Sequence, residues 1–261
     1  MSHLNFVFVS VGIALGLFVA MLLCLELGRR IGIGALAKEG EASRVGVGKV
    51  DTAVYSLFAL LMGFAFSGAA GRYLSRQEHI VQEVAGIRTA WQRIPSLPPE
   101  AQAPVRTVFI RYVDALVAAC AEAPGSAAEA RYRVAAGKAR DEMWSIALAA
   151  SIVPSGERAR MFLLPSLNEM FEQGEKEHLA RQLHPPTVIF VMLGLLALAS
   201  ALFAGFAMAS SPKRNWMYIG GVAAAIAMVS YVVIEIEFPH RGLIRVDPAD
   251  QTLVDLRAEL H

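Results

Sequence analysis

Charge is scarce in this sequence. Only 18% of its 261 residues are Asp, Glu, Lys or Arg and 55% are apolar, where a soluble domain averages about 25% and about 45–50%. Both deviations point towards lipid. A surplus of one sign is missing too: 24 Lys and Arg stand against 23 Asp and Glu. Nucleic acid demands a concentrated basic patch, so no nucleic-acid partner is expected. Cysteine is equally sparse. Cys24 sits inside an apolar run and Cys120 inside an amphipathic stretch, which excludes a disulfide framework and any Cys/His metal spacing.

Long apolar runs are present in their place. The segments 4–25, 52–71, 187–209 and 216–234 carry no charged residue, and about 20 apolar residues suffice to cross the hydrocarbon core as a helix. The first run lacks a positive leading region and is longer than a signal-peptide core, so a retained anchor is expected. Four crossings place both termini and segment 72–186 on one face, with loops 28–50 and 210–215 on the other. Seven basic residues lie near the crossings on each face, and they are denser in the short loops: Arg29, Arg30, Lys38, Arg44, Lys49, Lys213 and Arg214. By the positive-inside rule that density leans towards a domain outside the cytoplasm.

Segment 72–186 is balanced in charge, 14 Lys and Arg against 13 Asp and Glu, and helical in pattern. Ile80, Val84, Ile87, Trp91 and Ile94 recur every three or four residues. No Gly/Pro pair interrupts 52–94, which predicts one helix of about 43 residues, roughly 65 Å long. Pro95, Pro98 and Pro99 should end it. A second helix carries Val105, Phe109, Tyr112 and Leu116 on one face; Pro124-Gly125 then breaks the chain. Ser126 with Glu129 reads as a capping box opening a third helix to about Val153. A fourth begins near Ser155 and should be distorted at Pro165, before Pro185-Pro186 returns the chain to the bilayer. Asp247-Pro248 has the form of an N-cap for a short last helix. The expected fold is therefore all-α: four transmembrane helices plus a helical-bundle soluble domain inserted between the second and third. Its segments are 1–71, 72–186, 187–234 and a tail, 235–261.

Chemistry-bearing patterns are thin. Gly46-Val-Gly-Lys49 lacks both the first glycine and the Ser/Thr of a phosphate loop. Glu175 and His178 make one Glu-x-x-His pair where a di-metal bundle needs two and further glutamates; a solvated helix face explains them. Glu235, Glu237, Asp247 and Asp250 make a candidate cation site, although pairing with Arg241 and Arg245 is the simpler account. No enzyme, metal or cofactor is expected.

Small residues let membrane helices approach closely. Gly12 and Gly16 form such a face on the first crossing, and Gly220 and Ala224 on the fourth. On the second, Ser56, Ala59, Gly63, Ser67 and Ala70 form a partly hydroxylated stripe flanked by Leu60 and Phe64. Tight packing is one reading. The other is a pore lined by Ser56, Leu60, Gly63, Phe64 and Ser67 from several copies, with Arg72 and Arg76 attracting anions beyond it. Four short helices enclose little on their own, so this reading requires a homo-oligomer.

The stretch Phe66-Ser-Gly-Ala-Ala-Gly-Arg72-Tyr73-Leu-Ser-Arg76-Gln resembles the end of the second transmembrane helix in bacterial bestrophins. The whole chain is similar to the bestrophin-like family of bacterial membrane proteins. The segments Asp51-Thr-Ala-Val-Tyr55, Phe64-Ala-Phe-Ser-Gly-Ala-Ala70, Leu164-Pro-Ser-Leu-Asn-Glu169, His184-Pro-Pro186 and Gly242-Leu-Ile-Arg-Val-Asp247 carry the likeness. The resemblance implies a pentameric, anion-conducting channel in the bacterial inner membrane, surrounded by lipid and passing small anions such as chloride. It also implies a cytoplasmic 72–186 domain and cytoplasmic termini, against the charge lean. Two departures stand out. Leu74-Ser75 replaces the paired tryptophans that follow the tyrosine in bestrophins, and no dense acidic calcium clasp is present. The alternative is a non-conducting membrane sensor or envelope scaffold, which the long stalk would also suit.

Overall fold

The computed structural model describes residues 3–39, 47–122, 125–210, 216–238 and 247–260. Among them there is no strand, and eight α-helices carry the chain: α1 (His3–Glu39), α2 (Val47–Arg93), α3 (Pro99–Ala121), α4 (Ala127–Ile152), α5 (Leu164–Gln182), α6 (Thr187–Ala207), α7 (Trp216–Glu237) and α8 (Asp247–Glu259). Four helices are long and apolar enough to cross a membrane: α1, α2, α6 and α7. The protein is a multi-pass membrane protein. Its backbone contacts divide it into two units, one of residues 3–71 and 184–238, the other of 72–183 with the C-terminal segment.

In the membrane unit, α1 is longer than its apolar run suggests, continuing through Arg29 and Arg30 to Glu39. Nothing between Leu25 and Glu39 breaks a helix except isolated glycines, which cost only about 1 kcal/mol each. Two glycines carry the packing of this helix. A Cβ on Gly28 would lie 1.9 Å from the Leu202 carbonyl oxygen, and one on Gly205 of α6 would lie 2.0 Å from that of Leu25. The α1–α6 crossing is thus backbone against backbone, and only glycine permits it. The faces expected from Gly12, Gly16 and Gly220 are different: each has open space around it within this chain. Met21, Phe58, Met62, Ala69, Leu193, Ala197 and Ala223 fill the core of the unit.

Polar groups are buried at one end of the same unit. Ser10 Oγ donates to Glu235 Oε1 at 2.7 Å, and Glu235 and Glu237 are both fully buried. His184 Nδ1 lies 3.3 Å from Glu237 Oε1, and its ring stacks on Phe238 at 4.7 Å. A carboxylate in a low-dielectric site requires such partners. The side chains of Asp247, Asp250, Arg241 and Arg245, with which these glutamates formed a candidate cation site or ion pairs, lie outside the described residues. Among the described residues no cluster could hold a metal ion.

The second unit is a helical bundle whose core runs through Ile87, Ile94, Val105, Phe109, Met143, Leu163, Leu167 and Met170, with Leu256 of α8 joining it. Its local rules are visible. Gly125, at φ +77°, leads into the N-cap Ser126, whose Oγ accepts from the Glu129 N–H at 3.0 Å. Pro165 has no N–H and its ring crowds the carbonyl four residues back; the helix widens there into a π turn, Ala159–Leu163. Ser166 Oγ and Arg93 Nη1 both donate to the Phe162 carbonyl of that turn, at 2.7 and 3.1 Å.

Charged side chains knit α4 to α5. Arg133 Nε bonds Glu129 at 3.1 Å, its Nη2 lies 3.9 Å from buried Glu177, and Glu177 also accepts from Arg181. Burial pushes the His178 imidazole below its ordinary value and neighbouring Arg133 adds to this, outweighing Glu177, Glu175 and Glu129. For Glu129 burial acts upward, but the Gly125 N–H and Arg133 hold it below the usual carboxylate value. Both groups bind fewer protons folded than unfolded on the acid side, so stability rises with pH. The His178 contribution is complete above its ordinary 6.5 and fades as pH falls below it. The Glu129 contribution is complete above 4.5 and fades as pH falls towards its lowered folded value. Thermal unfolding of the purified protein should therefore begin at lower temperature at about pH 5.5 than at about pH 7.5. His178→Gln should flatten that part of the profile.

Candidate pore-lining face

The second crossing is the first part of α2, and its two sides differ. Phe58, Met62 and Ala69 are buried against the other membrane helices. Ser56, Leu60, Gly63, Phe64 and Ser67 are all exposed, Leu60 to 56% and Phe64 to 65%. At 3.6 residues per turn, Ser56, Leu60, Gly63 and Ser67 fall within about 60° of one another, opposite the buried side. The chain thus fastens α2 by one face and leaves the small, hydroxylated face uncovered. Two hydroxyls and a glycine offer polar surface and room; Leu60 and Phe64 offer apolar surface beside them.

The two arginines do not continue this face. Arg72 and Arg76 lie about 150° and about 170° from the middle of the stripe around the helix. Arg72 is half-buried, and Arg76 is buried with 3% exposure. Arg76 Nε donates to the Ala180 carbonyl at 3.2 Å and Nη2 to the Leu183 carbonyl at 2.9 Å. The cause lies in the sequence of α5. His184-Pro185-Pro186 ends the helix, and its last carbonyls lose their intrahelical donors. A guanidinium supplies several donors at once and its charge complements the helix C-terminus. Arg76 is therefore a positioning residue that caps α5, in contrast to the exposed anion-attracting role expected of it. Arg76→Ala should cost about 1 kcal/mol of stability by leaving two part-buried carbonyls without their donors; Arg76→Lys should recover part of it in the same unfolding measurement.

A helical bundle inserted between the second and third of four membrane-spanning helices defines the class. The Bestrophin-like domain model matches residues 38–251, and the chain belongs to that family. No curated protein matches it. Among solved structures it is similar to a bacterial bestrophin homologue from Klebsiella pneumoniae, crystallised as a point mutant. The TM-score is 0.57 at 14% identity, with 92% of this chain and 98% of that chain covered. At that identity the likeness is one of fold.

Several features were not anticipated from sequence. The Gly28–Gly205 crossing was marked only by a second glycine spaced four residues on, at Gly32. Ser10, an isolated serine in an apolar run, gave no sign of its bond to Glu235. Arg76 was legible from its angle, since neither five nor nine residues beyond Ser67 returns to the same face.

Proposed function

We propose that the protein is an oligomeric membrane ion channel that passes anions, with α2 of each copy lining the pore through Ser56, Leu60, Gly63, Phe64 and Ser67. The observation that carries this reading is the uncovered stripe of α2: the chain buries the opposite face and leaves the small hydroxylated one for other copies to complete. Membership in the Bestrophin-like family supports it. In a ring of copies, Ser56 and Ser67 would offer hydrogen bonds to a partly hydrated ion, and Leu60 and Phe64 would close the path by dewetting. Arg72, past the end of the stretch and on the far side of the helix, adds positive charge in every copy that acts on anions near the opening through its long-range field. Five copies in a bacterial inner membrane, with the bundle and termini cytoplasmic, complete the proposal.

Purified protein in sealed vesicles should give chloride flux. Arg72→Glu should reduce anion preference at low salt by about tenfold or more, and less at high salt, where screening weakens that field. Absence of flux for any ion, together with a monomer or dimer in detergent, would instead support a sensor or scaffold. A detergent-solubilised ring with an axial opening would support the channel.

A further inference from the structure

The membrane unit contains a cavity of about 400 Å³ among α1, α2, α6 and α7. Its walls are mostly apolar, with Leu22, Leu25, Ala204 and Ile226 among them, but Asp51, Thr52, Tyr55 and Ser200 also line it. Asp51, Thr52 and Tyr55 lie in the first turns of α2; Ser200 lies about two helical turns inside the C-terminal end of α6. Ser200 is only 4% exposed and its Oγ has no hydrogen-bond partner. A serine hydroxyl in a helix ordinarily bonds the carbonyl one turn back, and an unmade bond in an apolar surrounding costs about 1–3 kcal/mol. A cavity whose lining joins apolar walls to a carboxylate and an unpartnered serine has the elements of a ligand site: apolar walls with a few polar groups to fix orientation.

We propose that this cavity binds an amphiphile with an ammonium head, an acceptor oxygen and an apolar body. The head meets the Asp51 carboxylate with Thr52 and Tyr55 beside it, the Ser200 hydroxyl turns out of the helix wall to donate to the acceptor oxygen, and the apolar body fills the space between α1, α6 and α7. The chemistry follows from the lining. Among the described residues Asp51 is its one charged group, so the complementary head is cationic. Ser200 needs an acceptor, such as an ester oxygen. The volume falls within the range of small-molecule sites. Such chemistry reaches the site from two sources: a membrane lipid bearing an ammonium and ester linkages, or a free apolar amine. The site takes in Thr52, one turn before Ser56, but its body lies among α1, α6 and α7, and its test does not depend on conduction.

The test uses the full chain in nanodiscs of phosphatidylglycerol, which carries no ammonium, and a diazirine-bearing glycine octyl ester as photoaffinity probe. Labelling should map to peptides holding residues 22–25, 201–208 and 219–226. Excess glycine octyl ester should suppress it and octyl acetate, which has no ammonium, should not. Asp51→Asn should weaken labelling about tenfold or more, Ser200→Ala several-fold, and Ala204→Phe should abolish it by filling the space, each with an unchanged elution profile. Should Ala204→Phe fail to fold, the competitor pair and Asp51→Asn still decide. Adding phosphatidylethanolamine distinguishes the sources: lower labelling assigns the site to the lipid, unchanged labelling to the free amine. Equal competition by octyl acetate, full labelling of Asp51→Asn, or label spread over outward residues such as Leu195 and Met228 would overturn the proposal.

Discussion

Gly205→Ala should cost the membrane unit about 3 kcal/mol or more, and Gly28→Ala a similar amount, while Gly12→Ala and Gly16→Ala leave the fold of one chain untouched. The clash at Gly205 is with the Leu25 carbonyl oxygen at 2.0 Å, and at Gly28 with the Leu202 carbonyl oxygen at 1.9 Å. In each case the obstacle is helix backbone, which cannot turn aside as a side chain would. The only relief is to separate α1 from α6, and separation forfeits the close approach from which membrane helices draw much of their packing energy. Extra methyl groups in a close-packed interior cost about 1–3 kcal/mol; an immovable partner places these at or above the upper end. Gly12 and Gly16 have nothing within 4 Å. The measurement is unfolding by denaturing detergent, read against wild type. Any effect of Gly12→Ala should appear in assembly of copies and not in unfolding of the single chain. Equal stability of the Gly205 and Gly16 variants would refute the backbone crossing.

The fold was largely legible because its punctuation is unambiguous. An uninterrupted pattern over 52–94 announced α2, which runs as Val47–Arg93, and three prolines announced its end. Ser126 and Glu129 announced α4, and Pro165 announced a distortion that became the π turn. Each is a local rule acting on neighbours in the chain. The details that were not legible depend on partners far away in sequence. A glycine in an apolar helix shows that close approach is possible, not which helix will come close; Gly12 and Gly16 have the same spacing as Gly28 and Gly32, yet only the second pair meets α6. Arg76 shows the same limit. Basic residues past a crossing suit an ion entrance, but the Pro185-Pro186 break more than a hundred residues on creates the carbonyls that claim its guanidinium.

Gly63→Trp and Ser67→Trp should each abolish anion flux, lowering it by about tenfold or more, with no loss of folding. If α2 lines the path, a substitution is repeated in every copy, and a ring of indoles occupies space that glycine and serine leave open. Folding is spared because these positions lie opposite Phe58, Met62 and Ala69, which hold α2 to its own chain. Leu195→Trp supplies the control: Leu195 is 62% exposed on α6, outside the stripe, and the same bulk there should leave flux unchanged. Phe64→Ala should act in the opposite sense, because removing an apolar ring from a dry constriction lowers the barrier to wetting. The four variants together separate occlusion from general damage to the membrane unit. Damage would lower flux in all four, whereas a pore on this face requires loss at Gly63 and Ser67, gain at Phe64 and no change at Leu195. Undiminished flux through Gly63→Trp and Ser67→Trp would place the conducting path on another face of the protein.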